Sequence, residues 1–117
     1  MVRAEMNAPI RNALTVDVED YFQVSAFREQ ISPDDWATFE PRVVANTRRV
    51  MDLFEEVGAT GTFFVLGWIA ERHPLLVREI ADRGHEIACH GFSHQLIYGQ
   101  SPSVFAQETH RARDILG

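Results

Sequence analysis

A single cysteine, Cys89, stands among the 117 residues, so no intrachain disulfide can form and cysteine usage leaves the redox compartment open. Long apolar runs are also missing. The longest, Phe63 to Ala70, is broken by Gly67 and is far shorter than the roughly 20 residues that a membrane-spanning helix needs. The first twelve residues mix Arg3, Glu5 and Arg11 with small side chains and lack the apolar core of a secretory signal. A soluble, cytoplasmic protein is expected, with an export signal upstream of this sequence left open. Positive charge is scarce: 11 Lys and Arg face 17 Asp and Glu, the net charge is -6, and no basic block occurs. That balance argues against a nucleic-acid partner, which would require a basic face.

What is present suits one ordinary domain. Hydrophobic residues make up 45% of the chain, enough for a core. We place an N-terminal tail at 1–12 and the domain at 13–117. Ala13 to Val18 reads as a strand, with Leu14, Val16 and Val18 on one face and Thr15 and Asp17 on the other. Residues 21–40, aromatic and acidic, read as a long loop. Pro41 suits a first helical turn, and Val43, Val50, Phe54 and Val57 recur at helical spacing until Gly58. Gly61 to Leu66 is a continuous apolar run of the kind buried on both faces of a parallel sheet. Pro74 opens a second helix through Leu76, Val77, Ile80 and Ala81, closed by Gly84. His85 to Cys89 forms a third strand ending at His90. Ser101-Pro102 signals a third helix whose inner face is Phe105, Thr109, Ala112 and Leu116. Three strands alternating with three helices predict a parallel α/β fold, whose chemistry belongs at the C-terminal strand ends.

Chemistry-bearing residues fall at those ends. Asp17, Glu19 and Asp20 follow the first strand, and His90 and His94 follow the third. Two imidazoles four residues apart plus a carboxylate make a ligand set for a divalent metal with an open position, so a metal-dependent hydrolase is the first hypothesis. Asp17 within an apolar run is hard to explain structurally, because an unpaired buried carboxylate is costly. Strand alternation puts Glu19 on the face of Asp17 and Asp20 on the opposite one, unless the chain has already turned into the loop. His73, His85 and His110 read as structural. By alternation with Ile87, Cys89 faces the core, and Phe63, Phe64 and Trp68 are core residues. Tyr21, Phe22 and Trp36 either offer flat faces for a ligand to stack on or anchor their own loop.

Three ordered segments carry a resemblance to a known family: Leu14-Thr15-Val16-Asp17-Val18-Glu19-Asp20, Ala59 to Gly67, and Gly84 to His94. They resemble the polysaccharide deacetylases with a NodB homology domain, and the likeness covers nearly the whole chain from Ala13. Asp17 to Phe22 together with Gly67 to Pro74 looks most like the branch associated with bacterial exopolysaccharide loci. The resemblance implies a deformed (β/α)7-type barrel and one divalent metal, usually zinc. It makes His90 and His94 metal ligands and Asp17 the catalytic base. The carboxylate ligand is Asp20 or Glu19, with Asp20 favoured because the family ligand is an aspartate. The implied reaction removes an N-acetyl group from an amino sugar of a polysaccharide or oligosaccharide. In the family an Arg-containing segment, further strands and a late histidine acting as acid come next. The chain is therefore expected to be the N-terminal half of the barrel, with the other half as a candidate partner. Two alternatives stay open: a non-catalytic half-domain binding metal or saccharide, and a hydrolase of small cyclic amides or ureides.

Overall fold

The computed structural model describes residues 9–117, so most of the tail placed at 1–12 lies outside the described residues, and positions 9–12 have no regular structure. Three short strands, β1 (Thr15–Val18), β2 (Thr62–Val65) and β3 (Glu86–Cys89), form a parallel sheet in the order β1-β2-β3. The register aligns Val16, Phe63 and Ile87 on one face, followed by Val18, Val65 and Cys89. Phe63, Val65 and Val18 are almost wholly buried there. Asp17, Phe64 and Ala88 share the opposite face. Phe64 and Thr62 on that face are half-buried, so β2 is fully covered on one side only, unlike the two-sided burial expected from its apolar run.

Helix α1 (Val43–Glu56) connects β1 to β2 and covers the buried face with Val43, Thr47 and Met51. Its first turn begins two residues after Pro41. Val57, expected on the inner face, is exposed, because the helix has ended before it and Gly58 turns the chain at φ +67°. Between β2 and β3 the chain makes two helices, α2 (Gly67–Arg72) and α3 (Pro74–Asp82). Periodicity shows only α3, since six residues are too few to display a repeat. His73 leaves helical geometry at the joint, and Pro74 restarts the helix at its first position.

Helix α4 (Pro102–Leu116) starts at the Ser101 cap, whose hydroxyl accepts the Val104 N–H at 3.2 Å. Only the C-terminal half of its expected inner face is buried. Ala112 is buried and Ile115 and Leu116 are partly so, whereas Thr109 and Phe105 are exposed. Packing against α2 selects that half: Ala112 is where α4 meets Gly67. Cys89 is likewise exposed rather than core, although it is aligned with the buried Val18 and Val65. The 21–40 loop contains three 3-10 turns, at Tyr21–Gln23, Ser25–Phe27 and Pro33–Thr38. Among the described residues no helix is long and apolar enough to cross a membrane.

Candidate metal centre

Because β1 ends at Val18 with its side chain in the core, the next residue, Glu19, emerges on the face of Asp17. From β3 the chain passes His90 and turns through Gly91 and His94, both at positive φ (+74° and +57°). This loop is held from behind by the start of α2. Gly67 N–H donates to Gly91 O at 2.8 Å, and Trp68 N–H donates to Phe92 O at 3.1 Å.

The two elements bring Asp17, Glu19, His90 and His94 together. Glu19 Oε2 lies 3.0 Å from His94 Nε2 and 3.7 Å from His90 Nε2, and Asp17 Oδ2 is 3.8 Å from His90 Nε2. Asp20, favoured above on residue type, is placed elsewhere. It is 3% exposed; Oδ1 accepts the Tyr21 N–H at 3.0 Å and Oδ2 accepts those of Arg42 and Val43 at 2.9 and 3.1 Å. Three donors, two of them at the start of α1, engage this carboxylate, where the helix dipole also favours a negative charge.

The cluster's own polar atoms indicate what it can hold. Glu19 Oε2 and His90 Nε2 are buried and have no hydrogen-bond partner. His94 Nδ1 lies 2.7 Å from Gln23 O, and a carbonyl can only accept, so the proton is on Nδ1. In the neutral ring, the Nε2 lone pair is then free beside the Glu19 carboxylate. One atom each from Glu19, His90 and His94 falls within a 4.8 Å set. Ligand atoms on a tetrahedral zinc, at bonds of about 2.0–2.1 Å, sit about 3.4 Å apart, and the 3.0 and 3.7 Å separations bracket that value. The residues fit a zinc-class cation. In the metal-free chain, the Glu19 carboxylate and then the Asp17 charge raise the His90 pKa above its usual value, against the opposing effect of burial.

The remaining singled-out residues lie outside the cluster. Buried His85 accepts the Gly61 N–H on Nδ1 at 3.1 Å and packs 4.8 Å from the Phe63 ring; burial, then Arg83, lowers its pKa. Burial also lowers that of His73, despite Asp20. His110 is exposed on α4. Phe22 and Trp36 are buried and meet Trp68 at 5.8 and 5.4 Å between ring centres, so they anchor the loop. Tyr21 is partly exposed, with Arg42 over its ring. Gln23 and Glu108 had no place in the sequence reading. Glu108 accepts from Ser93, beside His94, and from Gln100. For Gln23 one signal existed: an Asp followed three residues later by Gln is a capping-box pattern.

A parallel sheet with its ionisable groups gathered beyond the C-terminal strand ends is the layout of catalytic (β/α) barrels. Residues 32–117 match the family model described as polysaccharide deacetylase, and the chain belongs to that family. The matched segment contains His90 and His94, while Asp17, Glu19 and Asp20 precede it. The chain is 30% identical over 81 residues to a peptidoglycan-N-acetylglucosamine deacetylase of Bacillus cereus, covering 57% of this chain and 38% of that protein. To a chitooligosaccharide deacetylase of Rhizobium leguminosarum bv. trifolii it is 42% identical over 48 residues, 41% of this chain and 22% of the relative. The solved peptidoglycan deacetylase PdaC of Bacillus subtilis shares the fold at a TM-score of 0.64 and 23% identity, over 89% of this chain and 41% of PdaC. The chain thus spans well under half the length of each of these proteins.

Proposed function

We propose that this chain carries the metal-holding part of a hydrolase that removes N-acetyl groups from amino sugars of a polysaccharide or oligosaccharide. Glu19, His90 and His94 hold a divalent, zinc-class cation and Asp17 is the general base. The observation that carries this reading is the convergence of three ligand atoms within 4.8 Å, with Glu19 Oε2 and His90 Nε2 buried and unpartnered. A bound cation of this class lowers the pKa of water toward ~7 and polarises a carbonyl oxygen.

The chain's residues supply the rest. Asp17, with 56% of its side chain exposed, stands at the open rim beside His90, where Oδ2 can take the proton of a water attacking the acetamide carbon. The C–N bond then breaks, acetate leaves, and the sugar amine takes up a proton. His73, His85 and His110 do not face the site, so among the described residues no histidine is assigned to deliver that proton. Beside His90 and His94 lies a cleft of about 460 Å³, also lined by Cys89, Phe92, Leu96 and Phe105. Asp17 lines a second, separate cleft with Glu19, Tyr21 and Arg42, and its exposure supports a polymeric sugar over a small cyclic amide.

The test is calorimetric zinc titration of the parent chain and of Glu19→Gln, His90→Ala, His94→Ala and Asp17→Asn. Acetate release from N-acetylglucosamine oligomers is followed in the full-length protein. Zinc binding should be lost in the first three variants. Asp17→Asn should keep the metal and lose turnover. Unchanged zinc binding in both histidine variants would overturn the assignment.

A further inference from the structure

Glu19 and His94 approach each other from two separate loops, and a residue outside the ligand set joins those loops. His94 Nδ1 donates to the main-chain carbonyl of Gln23 at 2.7 Å. The Gln23 side chain turns back along its own loop, where Oε1 accepts the Asp20 N–H at 2.7 Å, and Gln23 N–H donates to Asp20 O at 3.0 Å. Gln23 is 3% exposed. Asp20 is itself bound through its carboxylate to the first N–H groups of α1. An unbroken series of hydrogen bonds therefore runs from the start of α1 through Asp20 and Gln23 to the outer nitrogen of His94.

We infer that Gln23 is a positioning residue. Its side chain closes the 20–23 turn, and the carbonyl so placed fixes His94 as the Nδ1–H tautomer with Nε2 directed at Glu19. The physical basis is general. Which nitrogen of an imidazole carries the proton is set by what the other nitrogen meets, and partners behind a ligand orient the ring and tune its basicity. The need for a side-chain acceptor also follows, whereas the Gln23 amide nitrogen is buried without a partner. Oε1 must accept from a main-chain N–H within a buried turn, which an apolar side chain of similar size cannot do. The inference rests on the metal reading above for its use, but its geometric content can be tested without metal.

The test compares the 117-residue parent with Gln23→Met, which keeps the volume and removes the acceptor, and Gln23→Glu, which keeps an oxygen for the Asp20 N–H. The His94 tautomer is read in the metal-free chain from imidazole nitrogen chemical shifts, and zinc affinity from competition with a chromophoric chelator. Gln23→Met should shift His94 from Nδ1–H toward a tautomer mixture and weaken zinc by about 10–100-fold, the usual effect of losing an outer partner. Gln23→Glu should retain the parent tautomer. A role in loop stability alone would lower the melting temperature of Gln23→Met and leave tautomer and affinity unchanged, which would overturn the inference. If Gln23→Met does not fold, Gln23→Glu decides, since loss of the Nδ1–H tautomer there also overturns it. A parent that binds no zinc defeats the metal reading, and positioning by Gln23 is then judged on the tautomer.

Discussion

Gly67 and Phe92 are in contact across the joint between α2 and the histidine loop: a Cβ on Gly67 would lie 2.6 Å from Phe92 Cδ2 and 3.1 Å from Ala112 Cα. No side chain fits there. The same close approach lets the first N–H groups of α2 reach the Gly91 and Phe92 carbonyls. Gly67→Ala must therefore displace the segment between the two histidines. The expected result is a loss of about 1–3 kcal/mol in urea unfolding, as for an overpacked core site, together with weaker zinc binding. Crowding absorbed entirely by α4 would leave zinc affinity unchanged.

Asp20 and Glu19, adjacent in sequence, should respond oppositely to loss of charge. An amide at position 20 has one acceptor oxygen for three N–H donors, so Asp20→Asn should cost about 1–3 kcal/mol of stability while the folded chain still binds zinc. Glu19→Gln should abolish zinc binding with little loss of stability. Denaturant melts and zinc titrations on the two variants make the comparison, and the reverse pattern would move the ligand role to Asp20.

Acid should destabilise the chain through His85. Its folded pKa lies below the usual 6.5, so between those two values the unfolded chain binds more protons. That stability is complete above pH 6.5 and is lost as pH falls, when protonation of Nδ1 breaks the bond from the Gly61 N–H. His73, also lowered, acts in the same direction. His90 acts in the opposite one: raised above 6.5, it contributes stability below that pH and loses it as pH rises through its folded value. Urea melts of the metal-free chain at stepped pH should show a smaller acid loss in His85→Gln, whose amide oxygen accepts from Gly61 without titrating. An identical acid slope in parent and variant would exclude this role for His85.

Cys89 should react with an alkylating reagent in the native chain without prior unfolding, since it is exposed at the edge of the sheet. Mass spectrometry of the alkylated native protein checks this. Protection until denaturation would restore the core placement inferred from strand alternation.

Much of the architecture is legible from local pattern. The three strands, the glycines ending two helices, and Ser101-Pro102 at the start of α4 lie where composition and punctuation put them, because those signals act over a few residues. The two histidines and the acidic run are legible for the same reason. Helix α2 is too short to show a period, and that Ala112 and Leu116 of the expected α4 face pack while Phe105 and Thr109 do not depends on the close approach of Ala112 to Gly67, 45 residues earlier in the chain, information absent from the helix's own sequence. Residue order alone determined that two imidazoles and several carboxylates would gather at the ends of parallel strands. Only the tertiary structure decided between the acids. Asp20 meets the N–H groups of Arg42 and Val43, 22 and 23 residues later, whereas Glu19, one residue nearer the strand, keeps its face and meets the histidines. A carboxylate goes where donors converge on it, and those donors are brought together by the packing of α1 against the sheet rather than by any local signal around residue 20.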